Sequence, residues 1–176
     1  PGENDYQSIS HLQQIPYYCI APTSVWFTKQ FPPEQWRRLI DLLPPQHPVY
    51  LLGGPADTAV AEKLADSRSH VVNLCGKLSL LQSAALMQGA LMNYVNDSAP
   101  MHLCSAVNAP VCAVYCSTVP EFGYGPLSDR SFVIQTPEAL PCRPCGIHGH
   151  KACPEGHFRC ATGIDTGRIA ALTAVS

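Results

Sequence analysis

Leu91-Met92-Asn93-Tyr94-Val95-Asn96-Asp97-Ser98-Ala99-Pro100-Met101-His102 carries a strand, a turn and a helix start in one short span. Leu91 to Val95 is a mostly apolar run of strand length, and a strand without strict alternation is one covered on both faces. Ser98 is a helix-entry residue, and Pro100 falls in the first turn, where its fixed φ and missing N–H are tolerated. The spacing therefore predicts a helix over Pro100 to Val107, followed by a second apolar strand over Val111 to Tyr115. Strand, helix, strand at this spacing is a βαβ unit, which requires a parallel pair.

The same alternation continues outward. Upstream, strands are predicted at Tyr17 to Pro22, Val49 to Leu52 and Val71 to Cys75. Helices are predicted between them at Gln35 to Leu43, Thr58 to Ala65 and Leu78 to Ala90. Pro32-Pro33-Glu34 opens the first of these helices, while Gly53-Gly54 and Gly76 close the second and third strands. Downstream come a sixth strand at Phe132 to Ile134 and a last helix at Arg168 to Val175. The expected fold is a doubly wound, mostly parallel α/β domain over residues 16–176. Residues 1–15 are polar, show no clear period and read as a linker or tail.

Composition bounds the function. The 176 residues make about one domain, long enough for a substantial core. With 11 basic and 13 acidic side chains the net charge is −2, so no polyanion-binding surface is advertised. Only 14% of residues are charged while 46% are hydrophobic, which argues against disorder. No apolar run has the length of a membrane span and no signal peptide is recognised. Nine cysteines, an odd number with Cys19, Cys75, Cys104, Cys112 and Cys116 in apolar segments, fit a reducing cytosol better than a disulfide scaffold.

In a sheet of this kind ligands bind beyond the carboxyl ends of the strands. The residues there are Thr23, Ser24 and Lys29; Gly53 to Asp57; Gly76-Lys77; Asn96 to His102; and Ser117-Thr118. The start of the helix at Ser98 offers free N–H groups and a partial positive charge suited to a phosphate or diphosphate. Asp97 cannot favour an anion, so its expected role is to accept from hydroxyls such as those of a sugar. Equally, Asp97 or Ser98 could simply cap the helix, worth ~1 kcal/mol, and Lys29 could be a solvated charge. No Gly-x-Gly-x-x-Gly and no Walker sequence occurs, so neither an NAD-type nor an ATPase site is supported.

Taken in order, Ala21 to Lys29, Leu51 to Asp57, Asn73 to Gly76, Asn96 to His102 and Pro110 to Pro120 with Phe122-Gly123 resemble glycosyltransferase family 9. These are the ADP-heptose:lipopolysaccharide heptosyltransferases. The resemblance implies a GT-B fold of two Rossmann-like domains, of which this chain would be the C-terminal, donor-binding half. Thr23, Ser24 and Lys29 would hold the donor diphosphate, and Asp57 would stand by the nucleotide ribose. Asp97 would bind heptose hydroxyls, the turn Ser98-Ala99-Pro100 would present backbone N–H groups, and His102 would shape the site. The implied reaction is inverting transfer of heptose from ADP-heptose to the lipopolysaccharide inner core, with no cofactor required. The general base would be an aspartate of the N-terminal domain, so this chain alone would be inactive. The implied location is cytoplasmic, with the full enzyme peripheral at the inner membrane. Gln30 and Ala99 stand where the family often has a basic residue and a glycine.

The remaining feature is the loop at 141–160, with Cys142, Cys145, Cys153 and Cys160 among His148, His150 and His157. Four such thiols could satisfy a tetrahedral zinc, although only the first pair has the Cys-x-x-Cys spacing. A catalytic cysteine lacks an implied histidine–acid relay. Phe122 to Tyr124, with its glycines, reads as a mobile loop near the site or an ordinary turn. Two other readings stay open: a GT-B transferase or epimerase using a UDP-sugar, and a non-catalytic docking module stabilised by zinc. An apolar face for the other half of the enzyme is also expected.

Overall fold

The computed structural model describes residues 1–174. Its strands are β1 (Tyr18–Ala21), β2 (Val49–Leu51), β3 (Val71–Asn73), β4 (Met92–Asn96), β5 (Val111–Tyr115) and β6 (Ser131–Gln135). They form one sheet in the order β3-β2-β1-β4-β5-β6, with every neighbouring pair parallel. The helices are α1 (Glu3–Ile9), α2 (Pro33–Leu42), α3 (Thr58–Ala65), α4 (Leu80–Gln88), α5 (Ala99–Ala106), α6 (Arg159–Thr162) and α7 (Thr166–Ala174). The expected α/β fold is the observed one.

The apolar strands lack alternation because both faces are covered. Ile20 of β1 and Met92 and Tyr94 of β4 point to one side, where they meet Trp36, Leu39 and Ile40 of α2 and Ile169 of α7. Cys19 and Ala21 of β1 and Val95 of β4 point to the other, against Leu86 of α4 and Met101 and Cys104 of α5. α4 begins later than the predicted Leu78 because Ser79 and Gln82 cap one another. The Ser79 hydroxyl accepts from the Gln82 N–H at 3.2 Å and the Gln82 side chain accepts from the Ser79 N–H at 2.9 Å.

The N-terminal segment departs from its expectation. Residues 1–15, anticipated as a linker or tail, contain α1 and pack against α4. Ile9 is fully buried in the same core as Leu86, with Tyr6 and Leu12 beside it, so three residues at three-residue spacing make the contact. The Tyr6 hydroxyl also donates to Gln88 Oε1 at 2.6 Å. Three apolar groups among polar ones are too short a pattern to stand out without their partner helix. At the other end, α7 begins before the predicted Arg168, and the predicted end at Val175 lies outside the described residues.

Candidate functional site

The strand order reverses between β1 and β4, and a cavity of about 530 Å3 opens there beyond the carboxyl ends. Each wall is the turn that follows a strand: Thr23 and Ser24 after β1, Gly53 to Asp57 after β2, Gly76 after β3, and Ser98 to Pro100 leading into α5. Leu52, Leu78, Met87 and Leu103 supply its apolar surface. A second cavity of the same volume, about 530 Å3, lies between α2 and the start of α7, but no strand-end residue borders it. The crevice at the switch point is therefore the candidate site.

Two glycines let the turns close. At Gly53 a Cβ would stand 2.7 Å from Asp57 Oδ2, and at Gly76, whose φ is +73°, it would stand 2.9 Å from Pro55 Cα. Asp57 uses the same Oδ2 to accept the Gly54 N–H at 2.8 Å, so the acid on this rim is fixed by the turn that carries it. Gln30 donates to the Ser24 carbonyl at 2.7 Å and so shapes the β1 turn.

Asn96, fully buried at the end of β4, ties that turn to the sheet. Its Oδ1 accepts the Phe31 N–H at 2.8 Å and its Nδ2 donates to the Thr23 carbonyl at 3.2 Å. The next residue, Asp97, pairs with Lys29: Nζ and Oδ2 are 2.7 Å apart, with the side chains 14% and 7% exposed. The buried Thr118 hydroxyl donates to the same Oδ2, also at 2.7 Å. Lys29 is thus not a solvated charge, and neither Lys29 nor Asp97 stands alone.

The helix entry departs from simple capping. Ser98 is the N-cap of α5 in extended conformation, yet its side chain makes no bond to the first turn. Its hydroxyl instead donates to the Asn96 carbonyl at 3.3 Å. Of the turn expected to present N–H groups, Pro100 has none to offer, so Ser98 and Ala99 are the donors. His102, expected to shape the site, is exposed on α5 and is not part of the cavity wall. Thr23, Ser24, Asp57, Ser98, Ala99 and Pro100 do line the cavity, with the Lys29–Asp97 pair adjoining it through Ser98. The Phe122–Tyr124 turn bends through Gly123 at φ +90°, and its Tyr124 carbonyl accepts the Tyr115 hydroxyl at 2.7 Å.

The sequence did not single out the residues that tie the cysteine-rich loop to this site. Arg143 donates to the Cys116 and Thr118 carbonyls, each at 2.7 Å, and to Gln135 Oε1 at 2.6 Å. Thr28 and His150 exchange two bonds: the Thr28 N–H donates to the His150 carbonyl at 3.1 Å, and the His150 N–H to Thr28 Oγ1 at 2.7 Å. No local pattern announces contacts between such distant segments. The four loop cysteines are free, and Cys160 is buried while the others are partly exposed. Burial pushes the Cys160 thiol up to about 11, with Cys153 adding to it, so it is no ready nucleophile. Cys142 Sγ lies 3.8 Å from His157 Nε2, but among the described residues no three His, Cys, Asp or Glu side chains gather to hold a metal ion. The cysteines named as zinc candidates are thus not drawn into a tetrahedral set.

A parallel sheet with a crevice at its switch point defines a Rossmann-like class of domain. Residues 3–156 match glycosyltransferase family 9 (heptosyltransferase), and the chain belongs to that family. It is 33% identical over 113 residues to the lipooligosaccharide heptosyltransferase 2 of Haemophilus influenzae, covering 61% of this chain and 32% of that one. The family 9 glycosyl transferase of Veillonella parvula superposes with a TM-score of 0.75 at 22% identity, over 98% of this chain and 48% of that one. The E. coli heptosyltransferase WaaC with ADP superposes with a TM-score of 0.62 at 27% identity, over 73% of this chain and 41% of that one. The chain therefore spans less than half the length of each of these relatives.

Proposed function

We propose that this chain is the donor-binding, C-terminal half of an inverting heptosyltransferase that moves heptose from ADP-heptose to the lipopolysaccharide inner core. The carrying observation is the cavity at the β1–β4 switch point, with the Lys29–Asp97 pair beside the start of α5. Family membership and the likeness to a heptosyltransferase solved with ADP support the nucleotide.

In this reading the adenosine lies over the apolar wall and its ribose meets the rim at Asp57. The diphosphate faces Thr23, Ser24, Lys29 and the N–H groups of Ser98 and Ala99. As the sugar–oxygen bond breaks, negative charge grows on the departing ADP. Lys29 and the positive end of α5 oppose that charge electrostatically, without a cofactor. Asp97 accepts from sugar hydroxyls. The base that takes the acceptor's proton belongs to a companion N-terminal domain, so the chain alone binds donor without turning it over. Val25, 93% exposed, and Leu80, 71% exposed, both on the cavity rim, suit the apolar face that such a domain would cover. The reading places the enzyme in the cytoplasm, peripheral at the inner membrane; among the described residues no helix is long and apolar enough to cross a membrane.

Calorimetric titration with ADP, UDP and ADP-heptose tests it. ADP is expected to bind more tightly than UDP, and Lys29→Ala to weaken ADP by about tenfold or more, the worth of a hydrogen bond to a charged group. A preference for UDP, or an unchanged affinity in Lys29→Ala, would sink the assignment.

A further inference from the structure

We infer that the cysteine-rich loop, residues 141–160, is the positioning element of the donor site, holding Asp97 through Arg143 and Thr118 and Lys29 through the backbone of His150. The inference rests on the donor reading above. The Asp97 side chain is bonded to the protein through one carboxylate oxygen. Both of its donors, Lys29 Nζ and Thr118 Oγ1, reach Oδ2, each at 2.7 Å. Among the described residues Oδ1 makes no hydrogen bond, which leaves it to accept from a ligand hydroxyl.

A diphosphate that draws Lys29 toward itself takes away the cation that Asp97 now faces. Thr118 is the remaining donor on Oδ2, and it keeps the carboxylate in place with Oδ1 available. Thr118 is itself buried and anchored, because its carbonyl accepts from Arg143 Nη2 at 2.7 Å. The other acceptors of this half-buried guanidinium are the Cys116 and Tyr115 carbonyls and Gln135 Oε1, all neutral. Taking this cation from water costs free energy that neutral acceptors only partly return: burial lowers its pKa even though Glu121 works against that shift. Its geometry serves the turn beyond β5, where Ser117 and Thr118 lie.

The loop grips the lysine side as well. Thr28, the neighbour of Lys29, exchanges two backbone-anchored bonds with His150 and accepts the Ser117 hydroxyl at 3.1 Å. Ser117 in turn donates its N–H to the Thr28 carbonyl at 3.2 Å and accepts the Cys145 N–H at 2.8 Å. The approach leaves no room for a side chain: at Gly149, whose φ is +80°, a Cβ would stand 2.9 Å from Thr28 Oγ1. One loop thus fixes the residues flanking both members of the ion pair.

The test compares the affinities of the whole chain for ADP and ADP-heptose, with melting temperature measured alongside. Thr118→Val, which removes the donor at nearly constant volume, is expected to keep ADP affinity within about twofold while losing about tenfold for ADP-heptose. Thr118→Ser should restore the wild-type ratio. Gly149→Ala should weaken ADP itself, because it displaces the backbone next to Lys29. A loop that only ties the sheet end together would lower the melting temperature in these variants while leaving the ratio of affinities unchanged in Thr118→Val and ADP affinity unchanged in Gly149→Ala, which overturns the inference. Should Thr118→Val fail to fold, Arg143→Lys reads the same ratio, since an ammonium cannot span the Cys116 and Thr118 carbonyls and Gln135 together; a wild-type ratio there overturns it equally. Wild-type protein that binds ADP but gains nothing from the heptose overturns the inference and leaves the nucleotide assignment standing. Wild-type protein that does not bind ADP fails the donor reading itself.

Discussion

Asn96 makes the clearest single-residue case. Its amide satisfies the Phe31 N–H and the Thr23 carbonyl from a fully buried position. Asn96→Ala leaves both unpaired and is expected to cost ~1–3 kcal/mol, read from urea denaturation. It should also weaken ADP, because Thr23 loses its tether. Gly76→Ala is expected to cost at least ~1 kcal/mol by the same measurement, from positive φ together with the contact at Pro55. Residue types were legible here to different degrees. Thr23, Ser24, Asp57 and Ser98 could be placed at the cavity because each follows a recognisable strand. The bonding of Asp97 to Lys29 and Thr118 could not be read, since it joins three strand ends whose spatial order depends on the whole sheet. His102 lies off the cavity wall for a local reason: helix phase carries it away while Leu103 turns toward the cavity.

At the scale of elements, α1 shows how a polar segment can be structural. Ile9→Ala is expected to cost ~2–5 kcal/mol, the usual range for truncating a fully buried aliphatic side chain. Retained stability in a urea titration would mean that α1 is dispensable to the fold. Strands were legible because their burial on both faces makes apolar runs. α1, and the four-residue α6 inside a loop, were not, since their partners lie far off in the chain. The central elements also carry a pH dependence. Burial pushes Cys104 of α5 and Cys112 of β5 up to about 12, and Cys75 up to about 11, from an ordinary 9.0. Because the folded values lie above the unfolded one, the fold favours the protonated thiols. That stability is whole below about pH 9 and is lost as pH rises through the folded values. Under reducing conditions the urea midpoint is expected to fall between about pH 9 and about pH 11, and Cys112→Ala should lessen the fall.

For the whole molecule, the sheet order has a consequence in time. β1 lies in the interior of the sheet, bonded on one edge to β2 and on the other to β4. During synthesis β2 follows β1 closely, but β4 arrives only after β3 and α4 have been made. Until then β1 and the growing half-sheet present an open, apolar edge, the kind of surface that recruits other chains. Pairing across so long a stretch is also intrinsically slow. A chain released after residue 78 is therefore expected to sediment as aggregate, whereas one carried through β5 should remain dispersed. The reversal of strand order that opens the crevice for a ligand also leaves the nascent protein exposed until its fourth strand arrives.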